Sequence, residues 1–342
     1  LCRMPLLFRR TYFNQFLQHN EQQLPDRILY PLENRKLLKV CGTDAAVFLQ
    51  GLITNDMRHF EDGAKSMYAM FLNNKGRVLY DTIILKSNED NEGLSYLIEC
   101  DKSVASLLHR HLKLYKLKRK VEIGDASPQF KLWAFISNQN STNAVEIPKT
   151  GISLYKDPRI ADLGYRILSP VTTKGDDILN VVGDDVTVSA DDKGYKYLRY
   201  RLGVSEGAED LPPGTSFPLE ANCDYLHGVS FHKGCYIGQE LTARVHHTGV
   251  IRKRIMPIRF KEDVKDLQSD STISVKDNPK SNVGKLKRYV GDSGIGLVRI
   301  KEAMEAGSLS IGKYPIEVLK PTWWPLEAPK DKVNLTKQEE SQ

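Results

Sequence analysis

The sequence predicts an α+β protein in which an antiparallel sheet packs against helices and a smaller strand-rich unit follows. Three observations support this fold class. Predicted helices and strands, including one hairpin, follow one another in the first 140 or so residues, and short β-branched segments dominate after about residue 250. The length of 342 residues is sufficient for two or three domains.

A turn between two apolar runs is the clearest local signal. Residues 67–72 and 77–86 are largely apolar, and the sequence Asn-Asn-Lys-Gly at 73–76 separates them. Asn and Gly tolerate positive φ, so this pattern predicts a β-hairpin.

The other predicted elements of the body alternate between strand and helix. Predicted strands lie at 35–41, 94–100, 120–123 and 131–137, and predicted helices at 43–53, 101–115 and 195–202. Thr43 or Asp44 is expected to cap the first helix, and Asp101 or Ser103 the second. Paired prolines and a glycine make 211–217 a loop.

The C-terminal part has a different pattern. Short β-branched runs occur at 250–260, 271–275, 283–289, 294–300 and 314–319, separated by Gly, Asp or Ser. Regularly spaced short strands predict a small barrel or sandwich, with a domain boundary near residue 250.

Charge and hydropathy exclude several function classes. The net charge is +6, which permits an anionic or acidic partner. Zinc-finger spacing and an aromatic RNA-binding signature are both absent from the sequence, so we predict no nucleic-acid partner. The densest basic run, 109–120, is interpreted as a solvated helix face leading into a strand. No apolar run reaches eighteen residues, which predicts no membrane span.

The two ends of the chain differ from the rest. Residues 1–24 contain three arginines and no carboxylate before Glu21, which is typical of a mitochondrial transit segment and predicts the mitochondrial matrix. We therefore divide the chain into a basic segment 1–24, a body 25–249, a barrel 250–328 and a charged tail 329–342.

The cysteines give a candidate reactive site. Five are present, at positions 2, 41, 100, 223 and 235, without close pairs, which favours a reducing compartment over a disulfide framework. Cys235 lies between Gly234 and Gly238, where the backbone can turn tightly, and Lys233 is expected to place positive charge near it, which favours the thiolate. The alternative is a small buried cysteine in a turn.

The run 233–244 (KGCYIGQELTAR) resembles the signature of the YgfZ-like family, whose members share the folate-binding fold of the glycine-cleavage aminomethyltransferase. The resemblance extends to 48–57, 71–81, 201–207 and 211–220, and it is greatest to the mitochondrial branch that acts late in the maturation of [4Fe–4S] proteins. It implies a folate-binding-like body of mixed sheets and helices around a central channel, followed by a small C-terminal β-barrel.

The resemblance also implies a function for Cys235. A cluster normally needs four protein ligands, and this chain offers one well-placed thiol, so Cys235 is expected to share an iron–sulfur cluster transiently with an A-type carrier protein. The chain would then be an assembly factor for [4Fe–4S] client proteins and not a turnover enzyme. His246 and His247 are candidate docking residues. The signature residues are Lys233, Gly234, Tyr236, Gly238, Gln239, Glu240 and Arg244.

Two other functions are weighed against this one. A folate-dependent aminomethyl transferase would bind tetrahydrofolate through Asn55, Asp81, Arg201 or Glu220. Tyr80 and Gly203, however, stand where the transferase has acids. A cysteine-nucleophile hydrolase would use His232 or His246 as its base, but no oxyanion motif accompanies them.

Overall fold

The computed structural model describes residues 27–87, 95–137 and 151–325, apart from Lys174, Asp184, Asp277 and Pro279. The predicted transit segment and charged tail therefore lie outside the described residues. The strands are β1 (Arg27–Pro31), β2 (Arg35–Cys41), β3 (Ser66–Leu72), β4 (Val78–Ser87), β5 (Ser95–Asp101), β6 (Glu122–Asp125), β7 (Phe130–Ser137), β8 (Ser153–Lys156), β9 (Tyr165–Pro170), β10 (Thr187–Val188), β11 (Lys253–Phe260), β12 (Thr272–Val275), β13 (Gly284–Val290), β14 (Ser293–Arg299), β15 (Leu309–Ile311) and β16 (Tyr314–Val318).

The helices connect and cover these strands. They are α1 (Ala45–Gln50), α2 (Ala105–Lys116), α3 (Gly175–Val182), α4 (Lys193–Leu202), α5 (Gly207–Asp210), α6 (Gln239–Thr248) and α7 (Ile300–Glu305), with short 3-10 helices at Met57–Phe60 and Ala161–Leu163. Within the described ranges, none of the helices combines the length and apolar character needed to cross a membrane.

The strands form two five-stranded sheets in the body and one closed barrel. The first sheet has the order β10-β1-β7-β9-β8 and the second β3-β4-β5-β2-β6, while the barrel runs β11-β14-β13-β12-β15-β16. Pairing in the second sheet is antiparallel throughout its described strands, as predicted. In the first sheet β1 and β10 pair in parallel. The α+β class with a C-terminal barrel is confirmed.

The predicted hairpin is formed by β3 and β4. The Asn73 carboxamide oxygen accepts hydrogen bonds from the backbone N–H groups of Lys75 (2.9 Å) and Arg77 (3.0 Å), and Gly76 has φ +73°. The turn therefore uses the Asn and Gly properties from which it was predicted.

The first helix is shorter than predicted. It was expected to reach Ile53, but α1 ends at Gln50, and the backbone N–H of the next residue, Gly51, donates to the carbonyl of Leu49. Ile53 instead forms a β-bridge with Phe71, so the chain must leave the helix to join the sheet.

The predicted caps of the second helix were wrong. Val104 is the N-cap of α2, and the carboxylate of Asp101 accepts hydrogen bonds from the backbone N–H and hydroxyl of Ser103 in the turn before it. That turn keeps Asp101 in β5.

Several short strands were not predicted, and one was displaced. β1, β8, β9, β10 and β15 have between two and six residues, too few to show a clear alternation, and β9 also carries a buried arginine. The strand expected at 120–123 is observed as β6, two residues later.

The body and the barrel are joined by specific contacts. The Arg254 guanidinium on β11 pairs with the carboxylate of Asp224 (2.7 Å) and lies 3.8 Å from the ring centroid of Tyr225. The indole N–H of Trp323 donates a hydrogen bond to the carbonyl of Leu202 at the end of α4 (2.7 Å). These contacts hold the barrel beside the segment that leads into the signature sequence.

Candidate functional site

The signature sequence forms a loop and the start of a helix. Residues 229–238 are irregular, and α6 begins directly after them. Gly238 precedes α6 with φ +79°, and a Cβ at this position would lie 2.3 Å from the carbonyl oxygen of Asn73 and 2.8 Å from the Cβ of Leu72. Only glycine fits this position, because the hairpin turn packs directly against it.

The two motifs singled out in the sequence therefore meet in space. A Cβ on Gly76 in the hairpin turn would lie 3.1 Å from the carbonyl oxygen of Gly238 and 3.3 Å from the Cβ of Leu241 on α6. The β3–β4 turn thus supports the loop and the start of the helix that follow Cys235. The spacing of the two motifs along the chain gave no sign of this contact.

Cys235 is exposed at the surface of this loop. Of the other cysteines that the structure describes, Cys41 is half-buried and Cys100 and Cys223 are buried. Gly234 lies beside Cys235, and a Cβ there would meet no atom within 4 Å. The alternative of a buried cysteine is contradicted, and the position beside Cys235 has room for a side chain.

Lys233 anchors the loop to the body. Its ammonium group donates hydrogen bonds to the carbonyl oxygens of Gln50 (2.7 Å), Ile53 (2.7 Å) and Asn55 (2.6 Å). Burial lowers the pKa of Lys233 to about 8, against the opposing charge of Asp56. These hydrogen bonds go to the backbone and give Lys233 an anchoring role, while its effect on the charge of the Cys235 thiol stays a prediction.

The residues on the other side of Cys235 are also fixed. The Tyr236 ring is buried, with its centroid 4.9 Å from the Lys233 ammonium. The Gln239 carboxamide oxygen accepts a hydrogen bond from the Tyr236 backbone N–H (3.2 Å), and the Ile237 backbone N–H donates to the Gly51 carbonyl (3.2 Å). The exposed thiol therefore lies between two anchored positions.

Exposed histidines lie at the far end of α6. His246 stacks on Phe231 with ring centroids 3.5 Å apart and an interplanar angle of 8°. The His247 ring packs edge-on against the His246 ring, with centroids 5.1 Å apart. Burial and the neighbouring His247 and His232 lower the pKa of His246, while Asp224 opposes them. Phe231 connects this aromatic group to the loop that carries Cys235. Glu240 and Arg244, nearer the start of α6, are exposed.

Neither a metal-ligand cluster nor a catalytic dyad is formed here by the described residues. Within the described ranges no three His, Cys, Asp or Glu side chains come together in a group that could hold a metal ion. No described histidine is hydrogen-bonded to Cys235, which the hydrolase interpretation would require.

The four predicted folate-binding residues lie in different places, and the side chains of two of them form hydrogen bonds within the fold. The Asn55 carboxamide donates to the carbonyls of Tyr68 (2.8 Å) and His227 (2.7 Å) and accepts from the Asp56 backbone N–H (2.9 Å). Asp81, on β4, is buried and accepts from the Gly207 backbone N–H at the start of α5 (3.1 Å).

The other two folate candidates lie nearer the barrel. The Arg201 guanidinium on α4 is 3.3 Å from the hydroxyl of Tyr197 and lies over that ring. Glu220 is half-buried, and its backbone carbonyl accepts from the Ile255 backbone N–H on β11 (2.8 Å). Burial raises the pKa of the Glu220 side chain, which the charge of Lys253 partly opposes.

Sequence reasoning missed a buried network of arginines and acids in the body. Arg166 on β9 bonds Glu99 on β5 (3.1 Å) and Glu206 before α5 (2.7 Å), and so joins the two sheets. Arg35 pairs with the same Glu99 (2.9 Å), and Arg159 with Glu206 (2.8 Å). Each of these side chains is almost fully buried. The sequence signals this for Glu99 and Arg166 only by a charge within a largely apolar strand, and Arg159 and Glu206 lie in irregular segments.

The network controls the charge state of its acids. Burial alone would raise the pKa of Glu206, but the guanidinium groups of Arg159, Arg199 and Arg166 outweigh it and hold the pKa well below its ordinary value. Burial raises the pKa of Asp81, and the nearby Arg35 only partly opposes it.

The fold defines the class of protein. The structure is similar to that of the glycine cleavage system aminomethyltransferase T from Bartonella henselae, with a TM-score of 0.67 and 15% identity, covering 87% of this chain and 86% of that one. Residues 252–326 match the family model described as the CAF17 C-terminal β-barrel domain. The chain thus has the aminomethyltransferase-like body with its C-terminal barrel.

The relatives in sequence are more specific. The chain is 37% identical over 310 residues to the human "Iron-sulfur cluster assembly factor IBA57, mitochondrial", covering 86% of this chain and 85% of the relative. The mouse protein of the same name is 37% identical over 316 residues, with 87% and 86% covered, and a Dictyostelium discoideum homologue is 35% identical over 274, with 72% and 65% covered. The chain belongs to the IBA57 family of mitochondrial iron–sulfur cluster assembly factors.

Proposed function

We propose that this protein acts in mitochondrial iron–sulfur cluster assembly by supplying Cys235 as one thiolate ligand of a cluster whose other ligands come from a carrier protein. The observation that supports this most strongly is the exposure of Cys235 on a loop that is fixed on both sides. The family relationship supports the broader function, since the relatives are named as assembly factors.

The donor set favours a shared cluster. Iron–sulfur clusters are usually held by four ligands, most of them cysteine thiolates. Cys100 and Cys223 are buried, and burial raises the pKa of both thiols, of Cys100 to about 12. Neither can reach a cluster bound at the surface, and the described residues form no group of three His, Cys, Asp or Glu side chains that could hold a metal ion. The remaining ligands would therefore come from a second protein.

The step we propose is a ligand exchange. The Cys235 thiol gives up its proton to solvent, one Fe–S bond forms to its Sγ, and one bond between iron and an outgoing carrier ligand breaks. No electron is transferred in this step. The anchoring of Lys233 and Tyr236 holds the sulfur in place, so little conformational entropy is lost when iron binds.

The relatives are mitochondrial proteins, and we propose a particular carrier partner and a set of client proteins. An A-type carrier protein fits the need for a partner that supplies several thiolates, and the exposed imidazoles of His246 and His247 are candidate docking contacts. [4Fe–4S] proteins of the mitochondrial matrix are the proposed clients.

The experiment mixes anaerobic protein with a carrier loaded with a [2Fe–2S] cluster and follows the complex by size exclusion, visible absorption and iron counting. Native protein is expected to co-elute with iron and to alter the visible spectrum, and Cys235→Ser to lose both effects. Cys41→Ser is the matched control, because it removes a half-buried thiol elsewhere, and it should behave as native. An unchanged iron-containing complex with Cys235→Ser would refute the ligand role.

We do not assign a folate-dependent transferase activity. The likeness to the aminomethyltransferase, at 15% identity, supports the fold alone. The carboxamide of Asn55 and the carboxylate of Asp81 are both used within the fold, and the acids of the transferase are absent at Tyr80 and Gly203.

A further inference from the structure

Helix α2 carries an exposed apolar surface that its packing does not require. Its inner face is formed by Ala105, Leu108 and Leu112, which are buried in the core of the second sheet. The outer face exposes Leu114, and Leu117 directly after the helix is 84% exposed. We call this region the α2 surface. Its exposed apolar members are Leu107, Leu114, Tyr115 and Leu117.

The concentration of apolar side chains is unusual for this molecule. Nine large apolar side chains are exposed among the described residues, and four of them lie in this one segment of thirteen residues. Scattered exposed leucines are ordinary, whereas a concentration of exposed apolar side chains on one short segment indicates an interaction surface.

Leu117 is held outward by a constrained backbone. Its φ is +46°, which is uncommon for a leucine, and the next residues are fixed to the body. The Lys120 backbone N–H donates to the Asp44 carboxylate (2.9 Å), and its carbonyl lies so close to Gly42 that a Cβ there would be 2.4 Å away. The exposure of Leu117 is therefore built into the fold and is not fraying of the helix end.

The same segment is strongly cationic. Between Asp101 and Glu122 the chain contains no acid, and none of its cations in this interval is ion-paired with a described residue. These cations are Lys102, Arg110, Lys113, Lys116, Lys118, Arg119 and Lys120. The acid nearest to them in the contacts above, Asp44, accepts a hydrogen bond from the Lys120 backbone N–H.

We propose that the α2 surface is a peripheral binding site for an anionic phospholipid bilayer. Leucines enter the boundary between headgroups and acyl chains, and the surrounding lysines and arginines bind the lipid phosphates, with their aliphatic stems lying along the apolar centre. Anionic lipid complements the unbroken positive charge of this segment. An acidic protein would need a matched apolar and acidic pattern, while a bilayer needs only a ring of cations around apolar side chains.

The test measures co-sedimentation of the full chain with phosphatidylcholine vesicles, with or without about 30 mol% phosphatidylglycerol. Native protein is expected to bind the anionic vesicles about tenfold more strongly, and this binding should weaken as NaCl rises from about 0.1 to 1 M. The double variant Leu114→Glu with Leu117→Glu should bind about tenfold less. Both side chains are exposed, so its thermal unfolding should match that of native protein.

A matched control changes the charge and the hydropathy of exposed side chains on the barrel. Lys301→Glu with Met304→Glu alters an exposed cation and an exposed apolar residue on α7 of the barrel and should leave vesicle binding within about twofold of native. Cys235→Ala should bind vesicles as native protein does, so this result is independent of the cluster proposal. Equal binding to neutral and anionic vesicles, or full binding by the Leu114/Leu117 variant, overturns the inference. Binding to polyglutamate without binding to vesicles also overturns it and identifies an acidic protein as the partner.

Discussion

Replacing the two glycines that flank Cys235 should have opposite effects on stability. In Gly238→Ala the alanine must adopt a φ of +79°, and its new Cβ lies 2.3 Å from the Asn73 carbonyl oxygen. The left-handed backbone costs about 1–2 kcal/mol for an alanine, and relieving the clash against a backbone atom costs about 1–3 kcal/mol more. We expect the free energy of unfolding to fall by about 3 kcal/mol.

Gly234→Ala is the matched control. Its Cβ meets no atom within 4 Å and its φ is not in the left-handed range, so the folded state should accept it without strain. Loss of flexibility in the unfolded chain should then raise the free energy of unfolding by about 0.4–1 kcal/mol. Urea denaturation with linear extrapolation measures both variants. If the two variants differed by less than about 1 kcal/mol, the proposed packing of the hairpin turn against Gly238 would be wrong.

Two further predictions concern buried charge. Lys233→Met should lower the free energy of unfolding by about 2–4 kcal/mol in urea denaturation, because three carbonyl oxygens lose a charged donor. Lys75→Met, at an exposed lysine, should change it by less than about 0.5 kcal/mol, and an equal loss in both would contradict the anchoring role. The depressed pKa of Glu206 implies a contribution that is present above its ordinary pKa of 4.5 and is lost as the pH falls below it, since Arg159 and Arg199 favour the carboxylate. Glu206→Gln should be about 3–5 kcal/mol less stable at pH 7 and show a shallower decline between pH 4.5 and 3 in urea denaturation, and an unchanged slope would refute this assignment.

Local patterns in the sequence predicted local structure well. The hairpin at residues 73–76 was predicted from residues that tolerate positive φ, and the strands after residue 250 from their regular spacing. The resemblance predicted the body and the barrel together. The predicted end of α1 and the predicted start of α2 were less accurate. Ile53 forms a β-bridge with Phe71, and Asp101 belongs to strand β5, where it pairs with Arg35. Both pairings depend on residues distant in the chain.

The candidate site was predicted only in part. Sequence identified the thiol of Cys235, but not that Lys233 would turn its ammonium to three backbone carbonyls, since those acceptors lie about 180 residues earlier. The arginine network was missed for the same reason. Arg166 and Glu99 are 67 positions apart, and neither carries a local sign that the other would neutralise it.

Alkylation of Cys235 tests the central claim most directly. Native protein is treated with iodoacetamide in the presence of a carrier with and without its cluster, and peptide mass spectrometry measures the rate at each cysteine. We predict that the cluster-loaded carrier slows alkylation of Cys235 while the cluster-free carrier does not, because an iron-bound sulfur cannot react. Equal rates with the two forms of the carrier would contradict the claim that this sulfur binds the shared cluster.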